Sequence, residues 1–176
     1  NDAVLERIVR VNALAPMQLT RRLLPLLLAR QEATVINVGS IFGYIGYPGY
    51  AAYSASKFAL RGFTEALRRE LADAPIRVLY LAPRATRTTM NGASVFALNA
   101  EIGVAMDPPE SVAEALAALL ARPDPERLIG MPEKLFALLN RIMPRALDYA
   151  LRRQLPVIRR HARRNHPQPA PQGEKP

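Results

Sequence analysis

The sequence predicts an α/β fold, in which a parallel β-sheet is covered by helices on both faces and is followed by a helical extension. Two observations predict it. Segments with apolar residues at helical spacing alternate with short runs of β-branched and aliphatic residues, a rhythm typical of parallel sheets with crossover helices. The chain of 176 residues is also 49% hydrophobic, which is enough to bury the core of one domain.

The chain opens with a long helical segment and a strand. Residues 3–30 carry apolar side chains at helical spacing, and Pro16 and Pro25 predict a kink or a new start within this segment. The run TVINV at residues 34–38 is rich in β-branched residues and lacks helical spacing. It therefore predicts a short buried strand.

The middle of the chain continues the alternation. Residues 50–71 are rich in Ala, Leu, Glu and Arg and predict a helix, and IRVLYL at residues 76–81 predicts a second buried strand. A loop with a short helix is expected over residues 82–107. The sequence Asp-Pro-Pro-Glu at 107–110 then marks a helix start, and residues 128–130 predict a brief last strand.

The last third of the chain predicts a basic helical extension. Residues 121–176 hold 12 of the 24 Lys and Arg residues but only 5 of the 15 Asp and Glu residues. Pro144 separates two short amphipathic helices, whose apolar stripes are Leu135, Leu138, Leu139 and Ile142 in the first and Leu147, Leu151 and Leu155 in the second. We therefore divide the chain into a catalytic domain (residues 1–130), a C-terminal extension (131–164) and a disordered tail (165–176).

Composition excludes several kinds of site. The sequence contains no cysteine, so disulfides and thiolate metal sites are ruled out. His161 and His166 lie in a basic, proline-rich stretch, where a metal site is not expected. That stretch carries no aromatic platform or recognition motif, so we expect no specific nucleic-acid partner. No apolar run reaches membrane-spanning length, and we expect a cytoplasmic protein.

Four of the six tyrosines fall within residues 44–53. Residues four apart share one face of a helix, and of these four tyrosines only Tyr53 is followed at that spacing by a cation, Lys57. A phenol titrates near about pH 10, and a nearby ammonium group favours its deprotonated form. Tyr53 is therefore the candidate for proton transfer.

Ser40 is the second candidate, because it directly follows the predicted strand at 34–38. Ligands of open α/β sheets bind beyond the carboxyl ends of the strands. A serine hydroxyl and a phenol that converge on one carbonyl oxygen form a hydrogen-bond donor and acid pair. The alternative is that Ser40 caps a turn and Tyr53 is a half-buried helix residue. A serine hydrolase is rejected, since the sequence around Ser40 is VGSIF and not G-x-S-x-G.

Residues 36–71 (INVGSIFGYIGYPGYAAYSASKFALRGFTEALRREL) resemble the catalytic core of the short-chain dehydrogenase/reductase family. In that family a serine at a strand end precedes the tyrosine of a Y-x-x-x-K helix by thirteen positions, the spacing of Ser40 and Tyr53. Residues 10–28 resemble the preceding helix of the family. Residues 76–90 resemble the next strand and its proline loop.

The resemblance implies a role for each matching residue. Tyr53 would donate a proton to a carbonyl oxygen in reduction and remove it in oxidation, and Ser40 would orient that carbonyl. Lys57 would bind the ribose hydroxyls of the cofactor and lower the Tyr53 pKa. Asn12, through its backbone in a distorted helix, would hold a water that links Lys57 to solvent.

The resemblance also implies NAD or NADP as the cofactor, with Pro83 and Thr88 beside the nicotinamide and Tyr53 and Lys57 as further contacts. Two departures from the family pattern qualify the resemblance. The glycine-rich cofactor turn of the family does not occur in this sequence, so we expect the C-terminal part of a longer, doubly wound Rossmann-like enzyme. The alternative is a non-catalytic fragment or binding module. Arg84 stands where the family has glycine, and it is expected either to reach the pyrophosphate, as Arg87 could, or to be solvated.

Substrate and partners follow from the apolar residues near these motifs. Apolar side chains follow Ser40 (Phe42, Tyr44, Ile45, Tyr47) and Thr88 (Met90, Val95, Phe96, Leu98). They suit a lipophilic alcohol or ketone. Apolar residues on more than one face of the helices at 4–28 and 50–71 predict a homo-oligomer, as in the family. The extension predicts either peripheral membrane contact or packing on its own domain.

Overall fold

The computed structural model describes residues 1–165, which form a three-stranded parallel sheet and eight α-helices. The strands are β1 (Ala33–Val38), β2 (Ile76–Ala82) and β3 (Glu126–Leu128). The helices are α1 (Asp2–Val9), α2 (Ala15–Leu28), α3 (Ala51–Glu70), α4 (Ala93–Glu101), α5 (Pro109–Ala121), α6 (Met131–Ile142), α7 (Pro144–Arg152) and α8 (Leu155–Asn165).

The sheet has helices on both faces, as predicted. β2 lies between β1 and β3 and pairs in parallel with both. Successive side chains of a strand point to opposite faces: Val78 packs with Leu67 of α3, whereas Leu79 and Leu81 pack with Leu119 of α5. The predicted α/β fold class is confirmed.

A π-helical turn next to Pro16 interrupts the first helical segment. α1 and α2 are joined by the π-helix Arg10–Leu14. Pro16 lies in the first turn of α2, directly after this turn, and its missing N–H cannot continue the hydrogen bonding of the helical residues before it, so the new start predicted at Pro16 is confirmed. Pro25 lies inside α2, which continues to Leu28, so the predicted break at Pro25 is wrong.

The last strand begins earlier than predicted. β3 covers Glu126–Leu128 and not residues 128–130. The Tyr80 amide donates to the Pro125 carbonyl oxygen at 3.0 Å, which starts the pairing with β2 before Leu128. Gly130 has a φ of 98°, a left-handed conformation that turns the chain into α6.

The extension forms three helices where two were predicted. The break at Pro144 is confirmed, since α7 begins there. A second break follows Arg152, and Pro156, which lacks an amide hydrogen, lies in the first turn of α8. His161 belongs to α8 and is buried, within the extension that was predicted to be helical. Of the expected disordered tail, residues 166–176 lie outside the described residues.

The two apolar stripes of the extension have different surroundings. Leu147 of α7 is buried against Ile41 and Ile45. In α6, by contrast, Leu135 and Ile142 are 57% and 65% exposed. Among residues 1–165, no helix has both the length and the apolar character needed to cross a membrane.

α8 also packs against α4. The His161 Nε2 atom lies 2.8 Å from a carboxylate oxygen of Glu101, the last residue of α4. Arg160 pairs with the other oxygen of the same carboxylate. The end of the described chain is thereby joined to the helix that follows the Pro83–Thr88 loop.

Candidate active site

Ser40 is fixed at the carboxyl end of β1 by the backbone around it. The Gly39 amide donates to the Leu81 carbonyl at 2.7 Å, and the Ile41 amide donates to the Pro83 carbonyl at 3.0 Å. The Ser40 hydroxyl accepts a hydrogen bond from the Phe42 amide at 3.2 Å and caps a short 3-10 turn. Its position at the sheet edge is therefore set by backbone pairing with the end of β2.

Tyr53 and Lys57 approach Ser40 from the first two turns of α3. The Tyr53 phenol lies beside the Ser40 side chain, which lowers the pKa of the phenol as a hydrogen-bonding group. The Lys57 ammonium lies 5.6 Å from the centroid of the Tyr53 ring and donates to the Val38 carbonyl oxygen at 3.5 Å. The structure thus brings Ser40, Tyr53 and Lys57 together, as the sequence predicted.

The electrostatics of the three residues differ from expectation in one respect. Burial raises the pKa of Tyr53, and the hydrogen bond to Ser40 partly opposes this effect. Burial lowers the pKa of Lys57. The pKa of Tyr53 is therefore raised overall, whereas the resemblance implied that Lys57 lowers it. Loss of solvent around the phenol disfavours its charged form more than the nearby contacts favour it.

Asn12 lies in the π-helical turn and reaches α3 through Ser56. Its Nδ2 atom donates to the Ser56 hydroxyl at 3.3 Å, and that hydroxyl donates to the Tyr53 carbonyl at 2.7 Å. The distorted helix expected at Asn12 is present as the π-helical turn Arg10–Leu14. The water that Asn12 would hold stays a prediction.

The loop after β2 contains Arg84, which is held by carboxylates. Its Nε atom donates to Asp107 at 2.7 Å, and its guanidinium also lies 3.6 Å from Glu133. The ion pair with Arg84 lowers the pKa of Asp107. The expectation of a solvated Arg84 is therefore wrong. Thr88 lies farther along this loop, where its carbonyl accepts from the Asn91 amide at 3.1 Å, and its cofactor role stays a prediction.

An aromatic cluster surrounds the Tyr53 ring. Phe42 stacks on Tyr47 with ring centroids 4.9 Å apart and meets Tyr53 edge-on at 6.1 Å. Tyr50 contacts both Phe42 and Tyr53. Phe42, Tyr47 and Tyr50 thus form an aromatic wall beside the Tyr53 ring.

Sequence reasoning missed the residues that join this wall to the extension. The Tyr47 hydroxyl donates to Gln154 at 2.6 Å, and the Asn140 side chain donates to the Tyr44 carbonyl at 2.8 Å. These contacts join residues about a hundred positions apart, so no local pattern signals them. Tyr80 was also missed, although a tyrosine inside an otherwise aliphatic strand was a visible signal.

The family model described as short chain dehydrogenase matches residues 1–97, which include Asn12, Ser40, Tyr53 and Lys57. This chain belongs to that family. The match covers the sheet edge and both helices that form the site, and it agrees with the order of elements found here.

Individual relatives agree with the family. The oxidoreductase SadH of Mycobacterium tuberculosis is 33% identical over 150 residues, which cover 79% of this chain and 54% of SadH. A short-chain dehydrogenase from Burkholderia cenocepacia, solved in complex with NADP, has a TM-score of 0.71 at 26% identity and covers 86% of this chain and 60% of its own.

A 4-hydroxyisoleucine dehydrogenase complexed with NADH has a TM-score of 0.63 at 26% identity, covering 73% of this chain and 59% of its own. The chain spans about half the length of the curated relatives it matches. The Rossmann-like fold is thus shared with solved family members that are complexed with either nicotinamide cofactor.

Proposed function

We propose that the protein is an NAD- or NADP-dependent oxidoreductase that interconverts an alcohol and a carbonyl compound. The observation that carries the proposal is the gathering of Ser40 and Tyr53 at the carboxyl end of β1, with Lys57 one turn farther along α3 and 5.6 Å from the Tyr53 ring centroid. Family membership supports the same reaction class.

The residues present fit a nicotinamide cofactor. Among the described residues, the only hydrogen-bond acceptor of the Lys57 ammonium is the Val38 carbonyl, at 3.5 Å. An ammonium group has three N–H donors, so Lys57 keeps donors for the ribose hydroxyls. Pro83 and Thr88 lie in the loop at the same sheet edge. When bound, the nicotinamide supplies the hydride in reduction or accepts it in oxidation.

The protein side chains handle the proton. The raised pKa keeps the Tyr53 phenol protonated at neutral pH, so it can donate a proton to the carbonyl oxygen as that oxygen gains charge. The Ser40 hydroxyl, held by the Phe42 amide, hydrogen-bonds the same oxygen and orients it. In alcohol oxidation the proton moves to Tyr53 instead.

We propose a lipophilic substrate, because the rings beside Tyr53 form an apolar surface. Phe42 and Tyr47 stack in this cluster, and the Tyr47 hydroxyl is engaged by Gln154. In α4, which follows the loop after β2, Phe96 is 38% exposed and available to a ligand, whereas Leu98 is 5% exposed and anchors the helix. A set of ketones of increasing apolar size tests this: kcat/KM should rise with size, and a preference for small polar ketones would contradict it.

Replacement of Tyr53 tests the reaction. In the intact enzyme, Tyr53→Phe keeps the ring but removes the proton donor, and carbonyl reduction should slow by at least about 10²–10⁴-fold. Tyr50→Phe is the matched control, since it removes a hydroxyl from the same cluster and should keep most of the activity. Titration with NADH and NADPH by fluorescence separates this proposal from the alternative of a module that binds no cofactor.

A homo-oligomer is proposed from the exposed face of the first helices. Large apolar side chains of the α1–α2 segment are exposed, namely Val4, Leu5, Val9, Val11, Leu14, Leu19, Leu23, Leu26 and Leu28. A contiguous apolar surface of this kind marks an interface. Light scattering of the intact enzyme at micromolar concentration should give a multiple of the subunit mass, and a monomer mass would contradict the proposal.

Peripheral membrane contact is proposed for α6 alone, since α7 packs on the protein. The exposed large apolar residues of α6 are Met131, Leu135, Phe136, Leu138 and Ile142. Lys134, Arg141 and Arg145 are exposed in or next to the same helix. Basic residues close to an anionic surface contribute about 1 kcal/mol each.

The division of the chain at residue 130 stays a proposal too, for which limited proteolysis after Gly130 is the test.

A further inference from the structure

Tyr80 lies beneath the active site in the middle of the sheet. It belongs to β2, has no solvent exposure and packs with Leu60 of α3 and Ala82. Its hydroxyl points to the loop that carries Ser40, where two glycines make room for it. A Cβ atom at Gly39 would lie 1.8 Å from the Tyr80 hydroxyl oxygen, and one at Gly43 would lie 2.6 Å from it.

The Tyr80 hydroxyl joins the backbones of Ser40 and Lys57. It donates to the Lys57 carbonyl at 3.4 Å, and it lies close enough to the Ser40 backbone for that backbone to lower its pKa. Burial raises the pKa of Tyr80 to about 12, although the hydrogen bond from Ser40 lowers it. The phenol therefore keeps its proton and can donate and accept at once.

We infer that Tyr80 is a positioning residue, whose buried hydroxyl sets the distance between the Ser40 loop and the Lys57 turn of α3. The inference rests on the proposed oxidoreductase function. Tyr80 lies behind the Ser40 backbone and acts on the reaction only through Ser40, Tyr53 and Lys57. The nearby phenol of Tyr44 differs, because its hydroxyl donates to Glu126 at 2.9 Å, away from this loop.

A comparison of Tyr80→Phe with Tyr44→Phe tests the inference in the intact enzyme. Each variant removes one buried phenol oxygen, so each makes a similar change in side-chain chemistry. A misplacement of about 1 Å can cost about 10²-fold in rate, and we expect Tyr80→Phe to lower kcat by roughly 10- to 100-fold with KM for the cofactor little changed. Tyr44→Phe should keep kcat within about threefold of the parent.

A second measurement does not depend on turnover. NMR titration of isotope-labelled tyrosine rings in the cofactor-free enzyme reports the Tyr53 pKa, with Tyr53→Phe used for assignment. Since the Ser40 hydrogen bond lowers the pKa of Tyr53, loss of Ser40 positioning in Tyr80→Phe should raise that pKa. A purely structural role of Tyr80 would lower the melting temperature and leave the Tyr53 titration unchanged.

Gly43→Ala provides a test that retains the Tyr80 phenol. The new methyl group would lie 2.6 Å from the Tyr80 hydroxyl oxygen and 3.0 Å from the Lys57 carbonyl oxygen, so it crowds the hydrogen bond between these two groups. In Tyr80→Phe the hydroxyl and this hydrogen bond are already absent, and the φ of Gly43 is not in the left-handed region and accepts alanine. We expect Gly43→Ala to lower kcat in the parent and to add little in the Tyr80→Phe background. Additive effects of the two substitutions would overturn the inference.

The outcomes separate the inference from the proposed function. Parent-like kcat and an unchanged Tyr53 titration in Tyr80→Phe would overturn the inference and leave the oxidoreductase proposal intact. If Tyr80→Phe does not fold, the Tyr53 titration in Gly43→Ala decides, since an unchanged titration there would overturn the inference. Absence of dehydrogenase activity in the parent would overturn the proposed function, while the two titrations would still report on the role of Tyr80.

Discussion

The tyrosines around the site differ in the partners of their hydroxyl groups. Tyr44 donates to the carboxylate of Glu126, and burial together with that carboxylate raises its pKa. Tyr47 donates to the amide oxygen of Gln154. Tyr53 is paired with the Ser40 hydroxyl, which lowers its pKa against the effect of burial. A serine hydroxyl can stabilise a phenolate by donating to it, whereas a carboxylate cannot, so Tyr53 is the phenol suited to exchange a proton.

Replacement of Ser40 should shift the pH dependence of the reaction. In the proposed alcohol oxidation Tyr53 would accept the proton, so the rate should rise as Tyr53 deprotonates and level off above its pKa. Because the Ser40 hydrogen bond lowers that pKa, Ser40→Ala should move the rising limb of kcat/KM to higher pH and slow the reaction by roughly 10²–10³-fold. Ser111→Ala on α5 is the control, and a profile of Ser40→Ala that coincides with the parent profile would contradict the prediction.

Local spacing explains why some site residues were predictable and others were not. Tyr53 and Lys57 are one helical turn apart, and Ser40 follows directly on a strand, so sequence distance alone places them at one sheet edge. The position of Tyr80 beside the site depends on the register between β1 and β2, in which Asn37 is opposite Tyr80. A register between strands forty residues apart is fixed by the folded core and leaves no periodic pattern in the sequence.

At the scale of elements, α7 and α6 are the clearest contrast. Both helices carry apolar stripes that the sequence could not assign to protein or membrane, because amphipathic spacing shows that a face is apolar but not what covers it. The structure packs Leu147 of α7 on Ile41 and Ile45 and leaves the α6 stripe exposed. The third helix, α8, was missed because Pro156 was not interpreted as the start of a new helix.

Leu147→Ala and Leu138→Ala should have different effects on stability. Leu147 is 5% exposed in the cluster with Ile41 and Ile45, so its truncation should lower the free energy of unfolding by about 2–5 kcal/mol. Leu138 is 51% exposed, and its truncation should cost less than about 0.5 kcal/mol. Urea unfolding measures both, and equal losses would contradict the packing of α7.

Vesicle binding should depend on α6 and on salt. We expect the intact enzyme to pellet with anionic vesicles and not with neutral ones. Binding should weaken as the Debye length shrinks from about 10 Å at 0.1 M to about 3 Å at 1 M salt. Replacement of Leu135 and Ile142 by serine should abolish the binding without a loss of stability, because both side chains are exposed. Failure of the intact enzyme to pellet with either vesicle type would contradict the membrane proposal.

At the scale of the whole molecule, burial acts in the same direction on the tyrosines Tyr44, Tyr47, Tyr50, Tyr53 and Tyr80, whose pKa values it raises. In the unfolded chain these phenols titrate near about pH 10. The unfolded state therefore releases protons first, and the stability that the phenols contribute is present below this pH and lost as pH rises through the folded pKa values.

The free energy of unfolding should accordingly fall above about pH 10. Lys57 has the opposite effect on stability. Burial lowers its pKa in the folded state, so the stability that the buried ammonium costs is regained as pH rises. Lys57 is one group, however, whereas the five phenols named above act in the other direction. Urea unfolding at a series of alkaline pH values, followed together with tyrosinate absorbance, measures this. A free energy of unfolding that stays constant while the phenols ionise would contradict it.

The pairing of Glu101 with Arg160 and His161 has a consequence for the order in which the chain matures. Glu101 ends α4, and His161 follows it by 60 positions. During synthesis, Ser40, Tyr53 and Lys57 leave the ribosome long before α8 does, so the reactive groups can gather while α4 still lacks this anchor. A nascent chain that stalls after α7 would then carry Ser40, Tyr53 and Lys57 while α4 still lacks its contacts with Arg160 and His161, so α4 would be anchored only after α8 has been translated.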